Sequence, residues 1–239
     1  MEPSERIHVA GHRGLVGSSI VRRLRIDGYQ NLLLRERSDL DLRDAASVHR
    51  FYETERPDIV VLAAARVGGI LANSRCPAEF IHDNLAIQTN VIHSAWQFGA
   101  RKLLFLGSSC IYPRDCPQPI REDYLLTGPL ETSNEPYAIA KIAGLRLCQA
   151  YRRLYGFDAI VAMPTNLYGP GDNFHPMDSH VLPALIRRFH DARERGDPEV
   201  AIWGTGTPRR EFLHVDDLSS AAVFMLRNYS DLDFLNVGT

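Results

Sequence analysis

The sequence predicts an α/β fold with a doubly wound parallel sheet and a smaller carboxyl-terminal lobe. Short, almost uniformly apolar runs alternate with longer amphipathic segments, which is typical of strands buried on both faces and of the helices that cover them. A glycine-rich segment, "GHRGLVG" at 11–17, stands between the first apolar run and the first amphipathic segment. Beyond Pro164 the alternation loosens and glycine and proline become frequent. These three observations predict a sheet that ends near residue 165 and an irregular lobe after it.

The elements follow from these patterns in chain order. Apolar runs predict five strands, at 7–10, 32–34, 59–65, 102–107 and 159–163. Amphipathic segments predict five helices, at 15–27, 44–55, 78–98, 136–155 and 181–195. Asp44 stands where an acidic residue caps a helix amino terminus. We therefore divide the chain into residues 1–165, carrying the sheet, and residues 166–239, a partial lobe interleaved with it.

Composition narrows the class of protein. The 239 residues are 45% apolar with a formal net charge of -2, which gives no broad footprint for nucleic acid. The amino terminus lacks the pattern of a signal peptide, and no apolar run reaches the ~18 residues of a membrane span. The four cysteines show neither a paired nor a metal-ligand spacing, so we expect free thiols, no metal site and a cytoplasmic protein.

The glycine-rich segment predicts a dinucleotide site in a Rossmann-type fold. Gly11, Gly14 and Gly17 permit a tight turn, a close approach of a pyrophosphate, and close packing of helix on strand. The helix that begins at residue 15 offers free N–H groups and the positive end of its dipole. The alternative, a glycine turn with a purely structural role, fits this strand–turn–helix context less well.

The residues after the second strand leave the choice of dinucleotide open. Glu36 suits the ribose 2′-hydroxyl of NAD, whereas Arg35, Arg37 and, in the glycine loop, Arg13 suit the 2′-phosphate of NADP(H). Three arginines against one glutamate favour NADP(H). Each arginine taken singly is also compatible with a solvated surface charge.

A second motif predicts proton transfer at a carbonyl. In "YAIAK", Tyr137 and Lys141 are four residues apart on a predicted helix and therefore share a face. An ammonium beside a phenol stabilises the phenolate, so we expect Lys141 to lower the pKa of Tyr137. Ser108, at the end of the fourth strand, is placed to bind the same carbonyl oxygen. A surface Tyr–Lys pair is the alternative.

Together these motifs resemble the extended short-chain dehydrogenase/reductase family, most of whose members act on nucleotide sugars. The resemblance is closest to members that epimerise a GDP-linked 4-keto-6-deoxy sugar at C3 and C5 and reduce its ketone with NADPH. The stretches that carry it are "GHRGLVGS", "LAAARVGGI", "KLLFLGSSCIYP", "NEPYAIAKIAG", "MPTNLYGPGDNFHP", "SHVLPALIRRFH" and "WGTGTPRREFLHVDDL".

The resemblance implies roles that composition and spacing do not. It assigns the acid and base of epimerisation to Cys110 and His180, which without it would be a buried thiol and a helix-start residue. It assigns substrate contacts to Asn166, Arg188, Trp203 and Arg210, and leaves His175 as part of a loop. It implies a homodimer through helices 78–98 and 136–155. It implies cofactor contacts at Gly11, His12, Arg13, Gly14, Leu15, Val16, Gly17, Arg37, Asp41, Leu42, Ala64, Leu106, Gly107, Lys141, Pro164, Asn166, Leu167 and His180.

Two alternatives remain open at this point. One is a related nucleotide-sugar 4-epimerase or dehydratase that retains NAD, which Glu36 favours and which does not need Cys110 and His180. The other is a catalytically silent NADP-binding protein. Members of the family continue beyond "FLNVGT", where this sequence ends, so we expect an incomplete lobe with exposed apolar surface.

Overall fold

A six-stranded parallel sheet organises the chain and confirms the predicted fold class. The computed structural model describes residues 1–175, 179–202 and 204–239. The strands are β1 (Ile7–Ala10), β2 (Leu32–Leu33), β3 (Ile59–Leu62), β4 (Lys102–Leu106), β5 (Asp158–Pro164), β6 (Asn166–Tyr168), β7 (Phe212–His214) and β8 (Leu235–Val237). The helices are α1 (Leu15–Ile26), α2 (Ala45–Glu55), α3 (Ile70–Arg75), α4 (Pro77–Gln97), α5 (Glu135–Tyr155), α6 (Val181–Arg195) and α7 (Val215–Asn228).

The strand order is β2-β1-β3-β4-β5-β8, with every neighbouring pair parallel. The chain moves outward from β1 to β2 and then returns to the other side of β1 to form β3. In open sheets of this kind, ligands bind at such a reversal, beyond the carboxyl ends of the strands. The sheet topology therefore marks the crevice between β1 and β3.

Helices cover both faces of the sheet, which explains why its central strands are apolar throughout. One face carries α2, α4 and α5, with a core that includes Phe105, Ile92 and Leu145. The other face carries α1 and α7, around Ile20, Leu104 and other buried side chains. None of the helices in the described ranges is long and apolar enough to cross a membrane.

Residues 166–239 contribute to the sheet as well as to the predicted lobe. The helix α7 packs on α1, where the Ser19 hydroxyl donates to the Val215 carbonyl oxygen at 3.1 Å. The strand β8 extends the sheet beside β5. A separate two-stranded sheet joins β6 to β7. None of α7, β6, β7 and β8 was predicted from the sequence.

The predicted bounds differ from the structure mainly at strand ends. The strand β3 ends at Leu62 rather than at residue 65, because residues 63–65 leave the sheet to enter the crevice. The short helix α3 precedes α4 and was not predicted. The helix α6 has the predicted bounds, and the Asp44 carboxylate caps α2 by accepting from the Ala46 amide, as predicted.

Candidate active site

The glycine loop lies at the crevice between β1 and β3. Gly11, directly after β1, has a φ of +84°, which favours glycine. A Cβ atom at Gly11 would stand 2.7 Å from the Ala64 backbone nitrogen, on the loop that follows β3. The two loops therefore approach each other so closely that no other residue fits at position 11.

The other two motif glycines have separable roles. A Cβ atom at Gly17 would stand 2.1 Å from the Gly11 carbonyl oxygen, so Gly17 lets α1 pack against the loop. At Gly14 the nearest such atom, again the Gly11 oxygen, is 3.5 Å away, so a side chain there meets no obstacle within the protein. Gly14 is the N-cap of α1 and provides no side chain to cap it. This open helix terminus fits a pyrophosphate, which the backbone N–H groups would bind.

Arginines border the crevice near β2, but only some of them face it. Arg13, in the glycine loop, forms an exposed ion pair with Glu36 at 2.5 Å between Nη1 and Oε1. Arg37 is also exposed, with its Nε 3.8 Å from a carboxylate oxygen of Asp41. Arg35, which the sequence also offered for a 2′-phosphate, instead pairs with Glu55 at 2.7 Å. It is held there by the sheet-side helix α2 and is the weakest of the three candidates.

Neighbouring groups and burial shift the pKa values of two further predicted cofactor residues, His12 and Asp41. Burial lowers the pKa of His12, Glu36 opposes that effect, and Arg13 adds to it. The imidazole therefore lies within electrostatic reach of the Arg13–Glu36 pair. Hydrogen bonds from Arg43 lower the pKa of Asp41 to about 2, so its carboxylate is already occupied by a cation of this chain. A cofactor would meet this segment mainly through its backbone.

Four of the five predicted catalytic residues form one cluster. Ser108 and Cys110 follow β4, Cys110 within a single 3₁₀ turn at Ser109–Ile111, and Tyr137 and Lys141 lie in the first two turns of α5. The Ser108 side chain lies close enough to the Tyr137 phenol and the Cys110 thiol to lower the pKa of both. The Lys141 ammonium lies 5.7 Å from the centre of the Tyr137 ring. Two groups that can transfer protons, the Cys110 thiol and the Tyr137 phenol, thus lie near Ser108 at the carboxyl end of β4.

Burial dominates the electrostatics of this cluster. It raises the pKa of Tyr137, and a negative charge on Cys110 adds to the rise, while the Ser108 hydrogen bond opposes it. Burial lowers the pKa of Lys141 to about 8, although Cys110 partly opposes that shift. The prediction that the pKa of Tyr137 is lowered is wrong for this structure, because burial is the largest influence on the phenol and raises its pKa. At neutral pH the phenol is therefore protonated and able to donate.

Burial is also the largest influence on the pKa of the Cys110 thiol. Burial raises the pKa of Cys110, and both the Ser108 hydrogen bond and the Lys141 charge counteract the rise. Cys110 is a partly exposed residue, unlike the fully buried Cys148. All four cysteines are free thiols.

His180 lies at the start of α6. It is the exposed N-cap of α6, and its charge opposes the burial that raises the pKa of Asp172. Within the described part of the chain, the His180 imidazole makes no hydrogen bond to Cys110 or Tyr137. The structure thus joins four predicted catalytic residues, and no hydrogen bond between described residues joins the fifth to them.

The predicted substrate residues are distributed over the second sheet and α6. Asn166 is paired with Phe212 in the β6–β7 ladder, and its Nδ2 donates to the Glu211 carbonyl oxygen at 3.0 Å. This contact brings Asn166 close to the segment that contains the exposed Arg210. Arg188 lies half-buried on α6. Trp203 is outside the described residues.

The structure adds functional positions that the sequence did not suggest. The Phe80 ring, on α4, meets the Tyr137 ring edge-on with centres 6.5 Å apart. The neighbouring Asn84 is 3% exposed and binds both the amide and the carbonyl oxygen of Arg66 at 2.9 and 3.0 Å. Asp83 binds the Arg66 guanidinium at 2.9 Å. Polar residues buried on a helix that borders the sheet were the signal that could have revealed them.

Comparison with known proteins agrees with this geometry. Residues 7–238 match the model of the NAD dependent epimerase/dehydratase family. GDP-L-fucose synthase 1 of Arabidopsis thaliana is 62% identical over 238 residues, covering 100% of this chain and 74% of that protein. GDP-L-fucose synthase of Escherichia coli strain K12 is 54% identical over 244 residues, covering 98% of this chain and 76% of that protein.

A solved structure shows the same architecture. The crystal structure of a GDP-L-fucose synthetase from Naegleria fowleri bound to NADP superposes with a TM-score of 0.91 at 29% identity, covering 100% of this chain and 78% of that one. The parallel sheet with helices on both faces accords with these relationships. The chain belongs to the NAD dependent epimerase/dehydratase family.

Proposed function

We propose that the chain is a GDP-L-fucose synthase. It would convert GDP-4-keto-6-deoxy-D-mannose to GDP-L-fucose by epimerisation at C3 and C5 and NADPH-dependent reduction at C4. The observation that carries the proposal is the cluster at the end of β4, where the Lys141 ammonium lies 2.8 Å from the Leu106 carbonyl oxygen and 5.7 Å from the Tyr137 ring centre. Ser108 and Cys110 both act on this cluster, so a proton carrier for the carbon atoms lies close to a proton donor for the ketone oxygen. The names of the two similar curated enzymes support the substrate.

The glycine loop and the carboxyl ends of β1, β3 and β4 would hold NADPH. Gly14 leaves the α1 terminus open for the pyrophosphate, and Arg13 and Arg37 are exposed near the expected 2′-phosphate. When bound, this cofactor supplies a hydride to C4. The Lys141 ammonium lies between the end of β4 and Tyr137, where it would also meet the nicotinamide ribose.

Epimerisation requires a base that removes the proton next to the ketone and an acid that returns one on the opposite face. We assign these roles to Cys110 and His180. The Ser108 hydroxyl and the Tyr137 phenol would bind the ketone oxygen, which becomes negative when the adjacent carbon loses its proton. Because Tyr137 is protonated at neutral pH, it stabilises this oxyanion without ionising. His180 is the N-cap of α6, so it would reach the sugar from the side of that helix.

Reduction uses the same oxygen-binding groups. As C4 becomes tetrahedral, the Tyr137 phenol gives its proton to the C4 oxygen and becomes a phenolate. The Lys141 cation stabilises that phenolate, so it offsets the effect of burial during the step. One site therefore serves both reactions, with Cys110 needed for the first and Tyr137 essential for the second.

The GDP-sugar would extend from this cluster toward α6 and the β6–β7 sheet. Arginine suits the diphosphate, and we assign this contact to Arg188 and Arg210. Asn166, beside Glu211, would contact the sugar or the nicotinamide. Trp203 remains a candidate for an apolar wall, by analogy with the family.

We also propose a cytoplasmic homodimer. The outer surface of α4 and α5 carries an aromatic group in which Trp96 stacks on Tyr155 with ring centres 4.2 Å apart. Tyr155 is 50% exposed and its neighbour Leu154 is 72% exposed, so this surface suits burial against a second copy. Free thiols suit a reducing compartment.

A two-part assay tests the proposed function. The purified chain is incubated with GDP-4-keto-6-deoxy-D-mannose in D₂O, and deuterium at C3 and C5 is followed by mass spectrometry alongside NADPH absorbance. We expect exchange, NADPH oxidation and GDP-L-fucose as product. Cys110→Ser should suppress exchange, whereas Tyr137→Phe should suppress reduction. Equal loss of both reactions in each variant would contradict the division of labour.

The same assay separates the alternatives. A 4-epimerase or dehydratase that retains NAD, which Glu36 favours, would oxidise no NADPH. A silent NADP-binding protein would bind NADPH tightly without turnover. Arg13→Ala and Arg37→Ala should weaken NADPH binding more than NADH binding, and an unchanged preference would exclude a role for them at the 2′-phosphate.

A further inference from the structure

The turn that carries Cys110 is fixed at its amino end by the sheet. The Gly107 amide, directly after β4, donates to the Ala162 carbonyl oxygen of β5 at 2.9 Å. The turn then closes on itself, because the Ile111 amide donates to the Ser108 carbonyl oxygen at 3.2 Å. These bonds, with one from the Tyr112 amide to the Ser109 carbonyl oxygen at 3.3 Å, shape the turn on both sides of Cys110, but none of them ties the residues after Cys110 to the sheet.

Tyr112 fixes the other end. It directly follows the turn, its side chain is 4% exposed, and its phenol donates a hydrogen bond to the Asn236 Oδ1 atom in β8. Burial raises the pKa of Tyr112, so its hydroxyl remains a donor at every physiological pH. The bond links a position two residues after the thiol to the last strand of the sheet.

Asn236 is itself held so that only Oδ1 faces the phenol. Its Nδ2 donates to the Ile120 carbonyl oxygen at 3.2 Å, and its backbone amide donates to the Glu122 carboxylate at 2.8 Å. The strand pairing of Asn236 with Met163 of β5 places it within the main sheet. Tyr112 therefore binds an acceptor that cannot rotate without breaking another hydrogen bond.

We propose that Tyr112 and Asn236 are positioning residues for Cys110, and that their hydrogen bond selectively supports proton transfer at C3 and C5. This inference rests on the proposed function and extends it. Tyr137 and Lys141 belong to α5, and Ser108 directly follows Gly107, whose amide is held by β5, so reduction at C4 should tolerate the loss of the Tyr112–Asn236 bond. Proton transfer is steep in distance, so a small displacement of the thiol has a large effect on exchange.

The test compares two half-reactions in Tyr112→Phe. Deuterium exchange at C3 and C5 requires Cys110, whereas single-turnover oxidation of GDP-L-fucose by NADP⁺ requires Ser108, Tyr137 and Lys141 but no proton transfer at carbon. We expect exchange to fall at least about tenfold and oxidation to change by less than about twofold. Asn236→Ala should give the same pattern, and the double variant should be no worse than either single one.

The control is Tyr229→Phe, which removes a phenol that donates to the Asp233 carbonyl oxygen at 2.8 Å, directly after the carboxyl end of α7. It should leave both half-reactions unchanged. Equal falls in exchange and oxidation, unchanged exchange, or additive effects in the double variant would overturn the proposal.

A measurement without substrate separates this inference from the proposed function. Alkylation of Cys110 by iodoacetamide, read by peptide mass spectrometry, should be several-fold faster in Tyr112→Phe, because the turn opens to solvent. The thiol of Cys76, on the preceding α3–α4 junction, is the internal reference and should react at an unchanged rate. A wild-type chain that neither exchanges nor oxidises would refute the proposed function, whereas an unchanged Cys110 alkylation rate would refute the positioning role.

Discussion

The Lys141 ammonium donates a hydrogen bond at 2.8 Å to the carbonyl oxygen of Leu106, the last residue of β4. Lys141 lies on α5, so this bond ties the catalytic helix to the strand that delivers Ser108 and Cys110. Its side chain is buried over the Phe105 ring, with 4.9 Å between Nζ and the ring centre. A charge in such surroundings is costly, and burial lowers the pKa of Lys141 to about 8.

The first prediction concerns the pH dependence of reduction. Above pH 8 or so, Lys141 loses its proton and no longer stabilises the Tyr137 phenolate, so the rate should fall as pH rises through that value. Lys141→Arg keeps a positive charge at all these pH values and should remove the fall near pH 8. Lys141→Met should lower the reduction rate at least about a hundredfold at neutral pH. Stopped-flow NADPH absorbance measures all three rates.

The matched control is the other lysine of the chain, Lys102. It is also buried, but it lies at the opposite end of β4, with Nζ 3.2 Å from the Asp158 carboxylate. Lys102→Gln should reduce the melting temperature and keep the wild-type pH profile of reduction. A wild-type profile in Lys141→Arg would contradict the assignment.

The second prediction separates the two uses of the glycine motif. Gly17→Ala places a methyl group against the Gly11 carbonyl oxygen, so it should destabilise the fold by about 1–3 kcal/mol. Gly14→Ala meets no protein atom closer than 3.5 Å, so its stability should match wild type. Because Gly14 borders the open α1 terminus, however, its variant should bind NADPH at least about tenfold more weakly.

Urea denaturation and fluorescence titration with NADPH make this comparison. The wild-type chain is the common reference, and each variant serves as the other's control. Loss of stability in Gly14→Ala, or wild-type stability in Gly17→Ala, would contradict the assignment of a packing role to Gly17 and not to Gly14.

The sequence predicted the sheet better than the lobe, for a physical reason. Strands such as β4 are buried on both faces, so their apolar runs are a sufficient signal. The strands β6 and β7 have three residues each and pair across more than forty positions, so their formation depends on contacts that no local pattern contains. The helix α7 did carry a signal, an apolar face that includes Leu218, Ala222 and Leu226, which the charged segment before it obscured.

The catalytic site was likewise predictable from the sequence only in part. Motif spacing placed Ser108, Tyr137 and Lys141 together, because each lies at a defined position on a predicted element. Their pKa values depend on desolvation, which spacing does not report, and this is why the predicted direction for Tyr137 was wrong. The position of His180 depends on the loop that precedes α6. The sequence pattern therefore could not predict how close His180 comes to Cys110.

The third prediction concerns the loop after β3, which borders the crevice. Asn84 binds both backbone polar atoms of Arg66, and its Nδ2 also donates to the Phe80 carbonyl oxygen at 2.7 Å. Asn84→Ala removes these bonds and leaves buried groups unpaired, so we expect a loss of about 1–3 kcal/mol in stability. Because the loop contains Ala64, NADPH affinity should fall at least about tenfold as well.

Isothermal titration calorimetry with NADPH measures the affinity. Asn228→Ala is the control, because Asn228 also donates to a carbonyl oxygen, that of Phe224 at 2.9 Å, but on the exposed end of α7. It should leave NADPH affinity unchanged. An unchanged affinity in Asn84→Ala would show that the loop after β3 does not need this residue to form the crevice.

The last prediction concerns acid stability and His8, a buried residue of β1. The His8 Nδ1 atom lies 2.8 Å from the Tyr52 hydroxyl, and burial, with the charges of Arg35 and His12, lowers the pKa of His8 to about 3. In the unfolded chain the imidazole binds a proton below its ordinary pKa of 6.5, whereas the folded chain keeps it neutral. Stability contributed by His8 is therefore fully present above pH 6.5 and is lost as pH falls toward 3.

Urea denaturation at about pH 7.5 and about pH 5 measures this effect. Between the ordinary pKa of His8 and the lower pH, one such proton lowers the free energy of unfolding by roughly 2 kcal/mol. His8→Gln keeps a neutral group beside Tyr52 and should lose that part of the pH dependence, because glutamine does not titrate. His190→Gln, at an exposed position of α6, is the control and should keep the wild-type difference. Equal pH dependence in His8→Gln and wild type would show that His8 is protonated in the folded chain, with its charge balanced by a rearrangement around Tyr52.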